Sequence, residues 1–232
     1  MMQNMKSGNE NVSLVLPTST RLSGACLTEN GIAAVDGYSP YIFLFDGSGC
    51  FEAAVPARRA YDSISSNDAE VFVCCGCGCD KNIYFLNDRF EETGVMTPDR
   101  SDGKTISASF YTEPPLDNCV AVTFDKSVKL FRRSGEYVST LKESNTDTYY
   151  LCYQSFPGGD CVAYEKDGVS RISVNDDANT KCSVSSEGSC TVPKSFILKP
   201  CGDILCVVGC RYLYNYLLPV LTDGTINAKC DF

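Results

Sequence analysis

Tyr41-Ile42-Phe43-Leu44-Phe45 is the first of five similar apolar segments, and their spacing decides the fold. Each segment is short, rich in aliphatic and aromatic residues, and followed by polar turn residues. The later copies begin 41 to 45 residues after their predecessors, at Asn82-Ile83-Tyr84-Phe85-Leu86, Ser127-Val128-Lys129-Leu130-Phe131, Ser170-Arg171-Ile172-Ser173-Val174 and Tyr212-Leu213-Tyr214-Asn215-Tyr216. An internal repeat of this length indicates one structural unit that recurs along the chain.

The repeating unit is made of strands. Alternation of β-branched and aromatic residues dominates the periodic windows, and none shows the i, i+3, i+4, i+7 spacing of an amphipathic helix. Asn30-Gly31 and Asp46-Gly47 mark tight hairpins, because these residues tolerate the positive φ angles of two-residue turns. Four-stranded units of this length that cannot bury their own faces are typical of propeller blades. We therefore predict an all-β fold, a five-bladed β-propeller of four-stranded antiparallel blades.

The predicted ring occupies residues 11–232 as a single domain, after a disordered or loosely ordered N-terminus at residues 1–10. The segment Asn11 to Pro17 resembles the end of an outer strand, Ala53-Ala54-Val55-Pro56. We predict that it pairs with the last blade and closes the ring, because closure hides sheet edges that an open ring exposes. The C-terminal residues Thr225 to Phe232 compete for the same place.

Composition limits the partners. The chain has 20 basic and 29 acidic residues, and its net charge of −9 repels nucleic acid and anionic membrane surfaces at long range. The first eleven residues contain no secretory h-region, and no apolar stretch approaches the length of a bilayer-spanning helix. We therefore predict a cytoplasmic protein that binds neither nucleic acid nor membranes.

Fifteen cysteines make the chain cysteine-rich, and their odd number leaves at least one thiol unpaired. Several lie where a strand favours a small apolar residue, which indicates buried thiols. The densest group, Cys74, Cys75, Cys77 and Cys79, has spacings that could hold a soft metal ion or act as a redox switch. Because no second Cys-x-x-Cys accompanies it, we predict structural packing and no cofactor.

Catalysis is poorly supported. The chain has no histidine, which excludes Ser-His and Cys-His nucleophile pairs. Paired carboxylates remain an alternative, as in glycoside hydrolases that place acids in a propeller channel. The candidates on or near inner strands are Glu29, Asp62, Glu113, Asp160 and Asp203. A second alternative is a lectin-like propeller that binds carbohydrate on aromatic side chains, for which the candidates are Tyr38, Tyr61, Phe110, Tyr111, Tyr149, Tyr150, Tyr153 and Phe156.

Turn motifs such as Phe45-Asp46-Gly47-Ser48-Gly49 and the run Arg132 to Tyr137 complete the repeat. In this pattern, from about Arg21 to Phe232, the chain resembles the broad class of propeller repeats that includes the NHL, WD40 and YVTN types. The chain has no tryptophan, so the Trp-Asp dipeptide of WD40 repeats is missing. The resemblance implies a rigid binding platform more often than an enzyme.

We therefore predict a non-enzymatic propeller that binds a protein or peptide through one end of the ring. The predicted end carries the long loops at Glu113 to Asp117 and Phe156 to Asp160, because ring-end loops are held by the blades while their sequence remains free. The predicted ligand-binding residues are Glu113, Asp117, Tyr153, Phe156 and Asp160. The net charge favours a basic or neutral partner.

Overall fold

The computed structural model describes residues 12–14, 22–67, 72–76, 78, 80, 82–99, 103–116, 118–144, 147–156, 158–167, 169–176, 179–184, 192–198, 204–209 and 215–220. All regular secondary structure in these ranges is β-strand, which confirms the predicted all-β class. Within them, no helix is long and apolar enough to cross a bilayer. The predicted N-terminal segment, residues 1–10, lies outside the described part of the chain.

The described strands form five four-stranded antiparallel sheets. Four sheets consist of consecutive strands, and the fifth combines three late strands with the first strand of the chain. The strands are β1 (Val12–Leu14), β2 (Gly24–Thr28), β3 (Gly31–Val35), β4 (Tyr41–Asp46), β5 (Phe51–Pro56), β6 (Tyr61–Ser66), β7 (Phe72–Gly76), β8 (Ile83–Leu86), β9 (Glu92–Met96), β10 (Thr105–Phe110), β11 (Cys119–Phe124), β12 (Ser127–Arg132), β13 (Tyr137–Glu143), β14 (Thr148–Phe156), β15 (Gly159–Lys166), β16 (Val169–Asp176), β17 (Asn179–Val184), β18 (Val192–Leu198), β19 (Ile204–Gly209) and β20 (Asn215–Val220).

The composite sheet has the order β1-β20-β19-β18. β1 pairs antiparallel with β20, with Val12 opposite Leu217 and Leu14 opposite Asn215, so the predicted closure by the N-terminal strand is confirmed. The predicted strand overlaps β20 at Asn215 and Tyr216, and β20 runs on to Val220. Tyr212 to Tyr214 and the competing segment at residues 225–232 lie outside the described residues.

The sheets follow one another around a ring. Their innermost strands β2, β6, β10, β14 and β18 contact one another in that order, and β18 returns to contact β2. Apolar residues fill each joint between neighbouring sheets, so each sheet buries both faces. The joint between the first and last sheets, for example, combines Leu22, Ile32 and Phe45 with Ile197. The hydrophobic effect of this burial holds sheets that have no core of their own.

Serine hydroxyls link the inner strands, which do not form a common ladder. Ser66 Oγ donates to the Leu27 carbonyl at 2.8 Å, and Ser63 Oγ accepts from the Ala108 N–H at 3.2 Å. Ser109 Oγ donates to the Tyr153 carbonyl at 2.9 Å. Each inner strand is the edge of its sheet, so these bonds satisfy backbone groups that lack a ladder partner.

The same bonds show that the inner strands run parallel. Ser109 contacts Tyr153, and further along both strands, three residues after Ser109 and two after Tyr153, Thr112 N–H donates to Ser155 Oγ at 2.9 Å. All connections between the first and second strands of a sheet therefore meet at one end of the ring. We call it the Glu113 end, after the loop between β10 and β11.

Gly24 permits the closest approach of two inner strands. A Cβ added to Gly24 would lie 2.9 Å from Ser63 Cα and 3.0 Å from Ile64 N. These are backbone atoms that cannot move aside, so the first two sheets can meet at this distance only with glycine in place.

Deleting residues 1–14 tests the closing strand. We expect the free energy of unfolding in urea to fall by about 2 kcal/mol, because ladder hydrogen bonds contribute about 1 kcal/mol each, and we expect aggregation from the exposed β20 edge. Deletion of residues 1–10 alone, which retains β1, is the control. Equal stability of the two truncated proteins would contradict closure by β1.

A second pair of variants tests the serine links. Ser109→Ala removes the bond to the Tyr153 carbonyl and should reduce the free energy of unfolding by about 1 kcal/mol. Ser107→Ala is the matched control on the same strand, because the Ser107 hydroxyl is buried and has no hydrogen-bond partner among the described residues. We expect Ser107→Ala to cost less than about 0.5 kcal/mol or to stabilise. Equal losses of unfolding free energy in the two variants, measured by urea unfolding, would contradict a stabilising role for the Ser109 hydrogen bond.

Candidate functional site

The axis of the ring is nearly filled. The cavity between the inner strands has a volume of about 10 Å³, which is roughly the space of one water molecule. Small and neutral side chains line most of it, among them Ser63, Ser65, Ser107, Ser109 and Gln154. A sugar ring does not fit in this space.

The axial cavity also lacks the acids of a glycoside hydrolase. The five inner strands contain one carboxylate, Asp62. Asp62 does not line the axial cavity, and its Oδ2 accepts from the Gly78 N–H at 3.3 Å. Glu29 lies in the exposed turn between β2 and β3, and Asp203 lies outside the described residues. The described part of the chain therefore offers no carboxylate pair at the axis.

Three of the predicted site residues do meet near the Glu113 end. They belong to a polar group at the joint between the third and fourth sheets that we call the Tyr153 cluster, formed by Tyr111, Glu113, Lys142, Tyr153, Asp160 and Asn175. Tyr153 and Asp160 lie on neighbouring strands joined by a hairpin, and the Tyr153 hydroxyl donates to Asp160 Oδ2 at 3.5 Å. Tyr111 Oη donates to Glu113 Oε2 at 3.4 Å.

Asp160 is the centre of this cluster. Its Oδ2 lies 2.8 Å from Lys142 Nζ, and its Oδ1 accepts from the Asn175 side-chain amide. Lys142 belongs to the outer strand of the third sheet, whereas Asp160 and Asn175 belong to the fourth. The ion pair therefore links the two sheets, and the charge of the Asp160 carboxylate is already paired with Lys142.

Electrostatics keep both tyrosines of the cluster protonated at neutral pH. Burial raises the pKa of Tyr153, and the Asp160 carboxylate raises it further. Burial likewise raises the pKa of Tyr111, followed by the charge of Glu113. Tyr153 is 4% exposed, so it positions Asp160 from within the joint and offers no surface to a macromolecular partner.

The loop between β10 and β11 is ordered by its own hydrogen bonds. Leu116 N–H donates to the Glu113 carbonyl at 2.9 Å, and Cys119 N–H donates to the Leu116 carbonyl at 2.9 Å. Leu116 packs against the core between the third and fourth sheets. The loop thus projects Pro114 and Pro115 into solvent from a fixed base, with Glu113 half-buried beside them. Asp117 lies outside the described residues.

Phe156 ends β14 and is half-buried against the core between the fourth and fifth sheets. A Cβ added to Gly159 would lie 2.7 Å from the Phe156 ring, so the ring covers the hairpin. Phe156 therefore stabilises the turn next to Asp160. Of the described members of the predicted set, Glu113 combines a charge with partial access to solvent.

The cysteine pair Cys74 and Cys75 points to opposite faces of β7, as strand geometry requires. Cys74 packs between the first and second sheets, and Cys75 between the second and third. The two thiols therefore cannot hold one ion between them, and Cys77 and Cys79 lie outside the described residues. Among the described residues, no group of three or more Cys, Asp or Glu side chains is placed to bind a metal ion.

The aromatic candidates for carbohydrate binding fall into a buried group and an exposed group. Tyr61, Phe110, Tyr150 and Tyr153 are buried packing residues. Tyr38 and Tyr149 are exposed, but Tyr38 is in the first sheet and Tyr149 in the fourth, and the Lys126 ammonium lies 3.6 Å from the centre of the Tyr149 ring. They do not form a common platform.

A second polar network links the connection between the first and second sheets to the second sheet. The Arg59 guanidinium contacts both oxygens of Glu92, at 2.7 and 3.2 Å, and donates to Tyr84 Oη at 2.6 Å. Tyr61 Oη donates to the same Glu92 at 2.9 Å. Like the Tyr153 cluster, this network places an ion pair at a joint between sheets, and its groups satisfy one another.

Sequence reasoning missed Lys142, Asn175 and Tyr111 as members of the Tyr153 cluster. Asn175 is recoverable in principle, because it faces Asp160 directly in the antiparallel register of β15 and β16. Lys142 carries no such signal, since it reaches Asp160 from the preceding sheet.

Comparisons with solved structures agree with this architecture. The WD40 propeller domain of Doa1 matches with a TM-score of 0.56 at 10% identity, covering 95% of this chain and 86% of that one. The chain is a β-propeller. The Dos1 propeller matches with a TM-score of 0.49 at 9% identity, over 81% of this chain and 53% of that one. The computationally designed Ika4 protein matches with a TM-score of 0.46 at 14% identity, over 71% and 97%.

No family model matches the sequence, and no curated protein sequence matches it either. At 10% identity the match to the Doa1 domain supports the fold alone and leaves the activity open.

Thiol accessibility gives a direct check of the packing. Burial raises the pKa of Cys26 to about 12, and it raises those of Cys74 and Cys161, so these thiols remain protonated at pH 8. Cys50 is exposed on a turn, while Cys75, Cys119 and Cys152 are buried. We expect iodoacetamide to label Cys50 at least tenfold faster than the six buried thiols, as measured by peptide mass spectrometry. Comparable rates in the native protein would contradict the packing, and labelling in urea is the control.

Proposed function

We propose that this propeller is a non-enzymatic platform that binds a protein or peptide at the Glu113 end. The observation that carries the proposal is the filled axis. With about 10 Å³ of space and serine side chains around it, the axial cavity has neither the volume nor, among the described residues, the acids of a substrate site. Recognition is then a property of the outer surface, where loops on a rigid scaffold present their side chains.

The loop between β10 and β11 supports the choice of end. Its internal hydrogen bonds and the Leu116 anchor fix the backbone before a partner arrives, so little conformational entropy is lost on binding. Two exposed prolines at the tip add rigid apolar surface beside the Glu113 carboxylate. A loop of this kind suits a partner that buries the prolines and places a cation near Glu113.

The partner is basic or neutral. The chain carries a net charge of −9, and the charge of Asp160 in the neighbouring cluster is already paired with Lys142. Glu113, half-buried beside the exposed prolines, therefore supplies the acidic determinant among the described members of the predicted site. We place the protein in the cytoplasm, where the abundance of buried thiols fits a reducing environment.

A charge reversal tests the proposal. Tagged protein is used to recover partners from a lysate of its native cells, and the partners are identified by mass spectrometry. Glu113→Lys should reduce recovery of the specific partner at least fivefold, because it places a like charge against a basic surface.

Glu165→Lys is the matched control, since Glu165 is exposed at the opposite end of β15 and the change in charge is the same. Thermal midpoints of the variants should agree within about 2 °C. Recovery of every partner by Glu113→Lys at wild-type levels would refute binding at this end.

A further inference from the structure

The turn between the third and fourth strands has the same backbone hydrogen bonds in the first three sheets. In each turn, the N–H of the first residue donates to the carbonyl four residues on, and the N–H of the fourth residue donates back to the first. The two distances are 3.0 and 3.0 Å in residues 46–50, 3.0 and 2.9 Å in residues 87–91, and 2.9 and 2.9 Å in residues 132–136. The three turns can therefore be compared residue by residue.

The first residue of the turn caps it in the first two sheets. Asp46 Oδ1 accepts from the N–H groups two and four residues on, at 2.8 and 2.9 Å. Asn87 Oδ1 accepts from the equivalent N–H groups at 3.0 and 2.9 Å. Short side chains with an acceptor oxygen stabilise turns in this way.

The turn of the third sheet, residues 132–136, departs from this pattern, and we call it the Ser134 turn. Arg132 occupies the capping position, and a guanidinium has no acceptor atom. The Glu136 N–H instead donates to Ser134 Oγ at 3.4 Å, a long and weak hydrogen bond. Proteins depart from local structural rules chiefly at functional sites, so the run Arg132-Arg133-Ser134 is a candidate site.

The three residues of this run are exposed. Arg132 Nε lies 3.0 Å from Glu136 Oε2, in an ion pair between exposed side chains that contributes little to stability. The Arg133 guanidinium lies over two buried rings at the joint between the second and third sheets, 5.3 and 5.4 Å from their centres. The hairpin is therefore held at its base, and it presents the Ser134 hydroxyl to solvent directly after two cations.

The Ser134 turn lies at the Glu113 end. β12 ends where β11 begins, and Arg132 faces Cys119 in their register. The Cys119 carbonyl also closes the loop between β10 and β11 with a hydrogen bond of 3.0 Å. The described residues of this loop and this turn carry two anions and two cations, which are Glu113, Glu136, Arg132 and Arg133.

A groove on the outside of the ring, between the second and third sheets, borders the turn. Its volume is about 420 Å³, and the turn contributes Gly135 to its wall. The groove leaves this flank of the hairpin open to an approaching protein. The lining residues are Asp99, Lys129, Phe131, Gly135 and Tyr137.

We propose that Ser134 is a phosphorylation site for an arginine-directed serine kinase. Kinases of this class select substrates by charge pattern, and they recognise arginines placed just before the serine. In the reaction, the γ-phosphorus of ATP bonds to Ser134 Oγ while its bond to the bridging oxygen of the β-phosphate breaks. ADP leaves, and the catalytic aspartate of the kinase accepts the hydroxyl proton.

The phosphate changes the charge and the contacts of the turn. It carries about −1.5 to −2 charges at neutral pH. Because its charge exceeds that of a carboxylate, it competes with Glu136 for the Arg132 guanidinium. Attached two residues before Glu136, it also offers that N–H the strong acceptor that the turns of the first two sheets already have.

This modification regulates the Glu113 end. The balance of two anions and two cations becomes negative, so a basic partner is attracted more strongly. This regulatory effect rests on the function proposed above, whereas the modification of Ser134 does not.

Phosphorylation is measured first. The full chain is incubated with a lysate of its native cells, ATP, Mg²⁺ and phosphatase inhibitors, and phosphopeptides are quantified by mass spectrometry. Ser48 is the matched control, because it is the exposed serine at the equivalent position of the first sheet and follows Asp46 and Gly47. We expect phosphate at Ser134 to exceed phosphate at Ser48 at least tenfold.

Variants test whether the arginines direct the reaction. Arg132→Gln and Arg133→Gln keep long polar side chains, and each should lower phosphorylation of Ser134 at least threefold. Asp46→Arg combined with Gly47→Arg transfers the arginine pair to the first sheet and should raise phosphorylation of Ser48 at least fivefold. Thermal midpoints show whether each variant is folded, and the comparison of Ser134 with Ser48 in the wild-type chain needs no variant.

The regulatory effect is measured by recovery of partners from lysate. The phosphorylated chain should recover the partner that Glu113→Lys loses at least threefold more than the unphosphorylated chain does. Ser134→Ala, treated with the same lysate and ATP, is the control and should show no increase.

Each part of the proposal can be overturned separately. Phosphate at Ser134 no higher than at Ser48, or undiminished in both arginine variants, would overturn the modification site. Unchanged recovery of the Glu113-dependent partner by the phosphorylated chain would overturn the regulatory effect. If no partner depends on Glu113, the function proposed above fails together with that effect, while phosphate at Ser134 still establishes the modification site.

Discussion

The inner strands of the ring lie side by side but do not pair as a β-ladder. The structure therefore depends on how the backbone N–H and C=O groups at their edges find hydrogen-bond partners. Serine solves this problem because its hydroxyl both donates and accepts and its volume is small. Ser63, Ser66 and Ser109 each bond the backbone of a neighbouring sheet. Larger polar side chains would push the strands apart, whereas apolar ones would leave backbone groups unpaired near the axis. Ser63 and Ser109 also line the axial cavity, which has space for about one water molecule, so residues that join the sheets also fill this part of the axis.

The joints between sheets combine this polar seam with apolar cores and ion pairs. The cores supply the nondirectional part of the stability, and they accept cysteine as readily as valine or alanine, as Cys26 and Cys74 show between the first two sheets. The Arg59–Glu92 and Lys142–Asp160 pairs lie at joints where two sheets must meet in one register. The polar groups of both clusters form hydrogen bonds with one another. These dense polar clusters therefore have a structural role at the joints. Functional surfaces are better sought where charge meets solvent, as at Glu113 and at the Ser134 turn with the groove beside Tyr137.

These two surfaces differ in shape. The Glu113 loop is a protrusion with an acidic residue and two prolines, whereas the groove beside Tyr137 is a concave surface in which Phe131 and Tyr137 lie with one anion, Asp99, and one cation, Lys129. Both are formed from residues that the third sheet holds rigidly. A ring of sheets can present independent surfaces in this way, because each joint is stabilised by its own hydrophobic core. A change in one loop is therefore not transmitted to another surface through a shared core.

The sequence by itself determined the class of fold, the repeat and the closing strand. Turn dipeptides such as Asn30-Gly31 and alternating apolar residues act locally, and the similarity of Asn11 to Pro17 to an outer strand is visible without coordinates. The aromatic run at Tyr212 indicated the start of β20 at Asn215 and Tyr216, but not its continuation to Val220, which pairs with β19. Tyr153 and Asp160 were found because they share a hairpin. Lys142, the serine links and the groove between sheets depend on residues from different repeats, about 18 to 45 positions apart. Only tertiary structure decided them, because the angle and register between sheets are set by packing of whole faces and leave no pattern in either repeat alone.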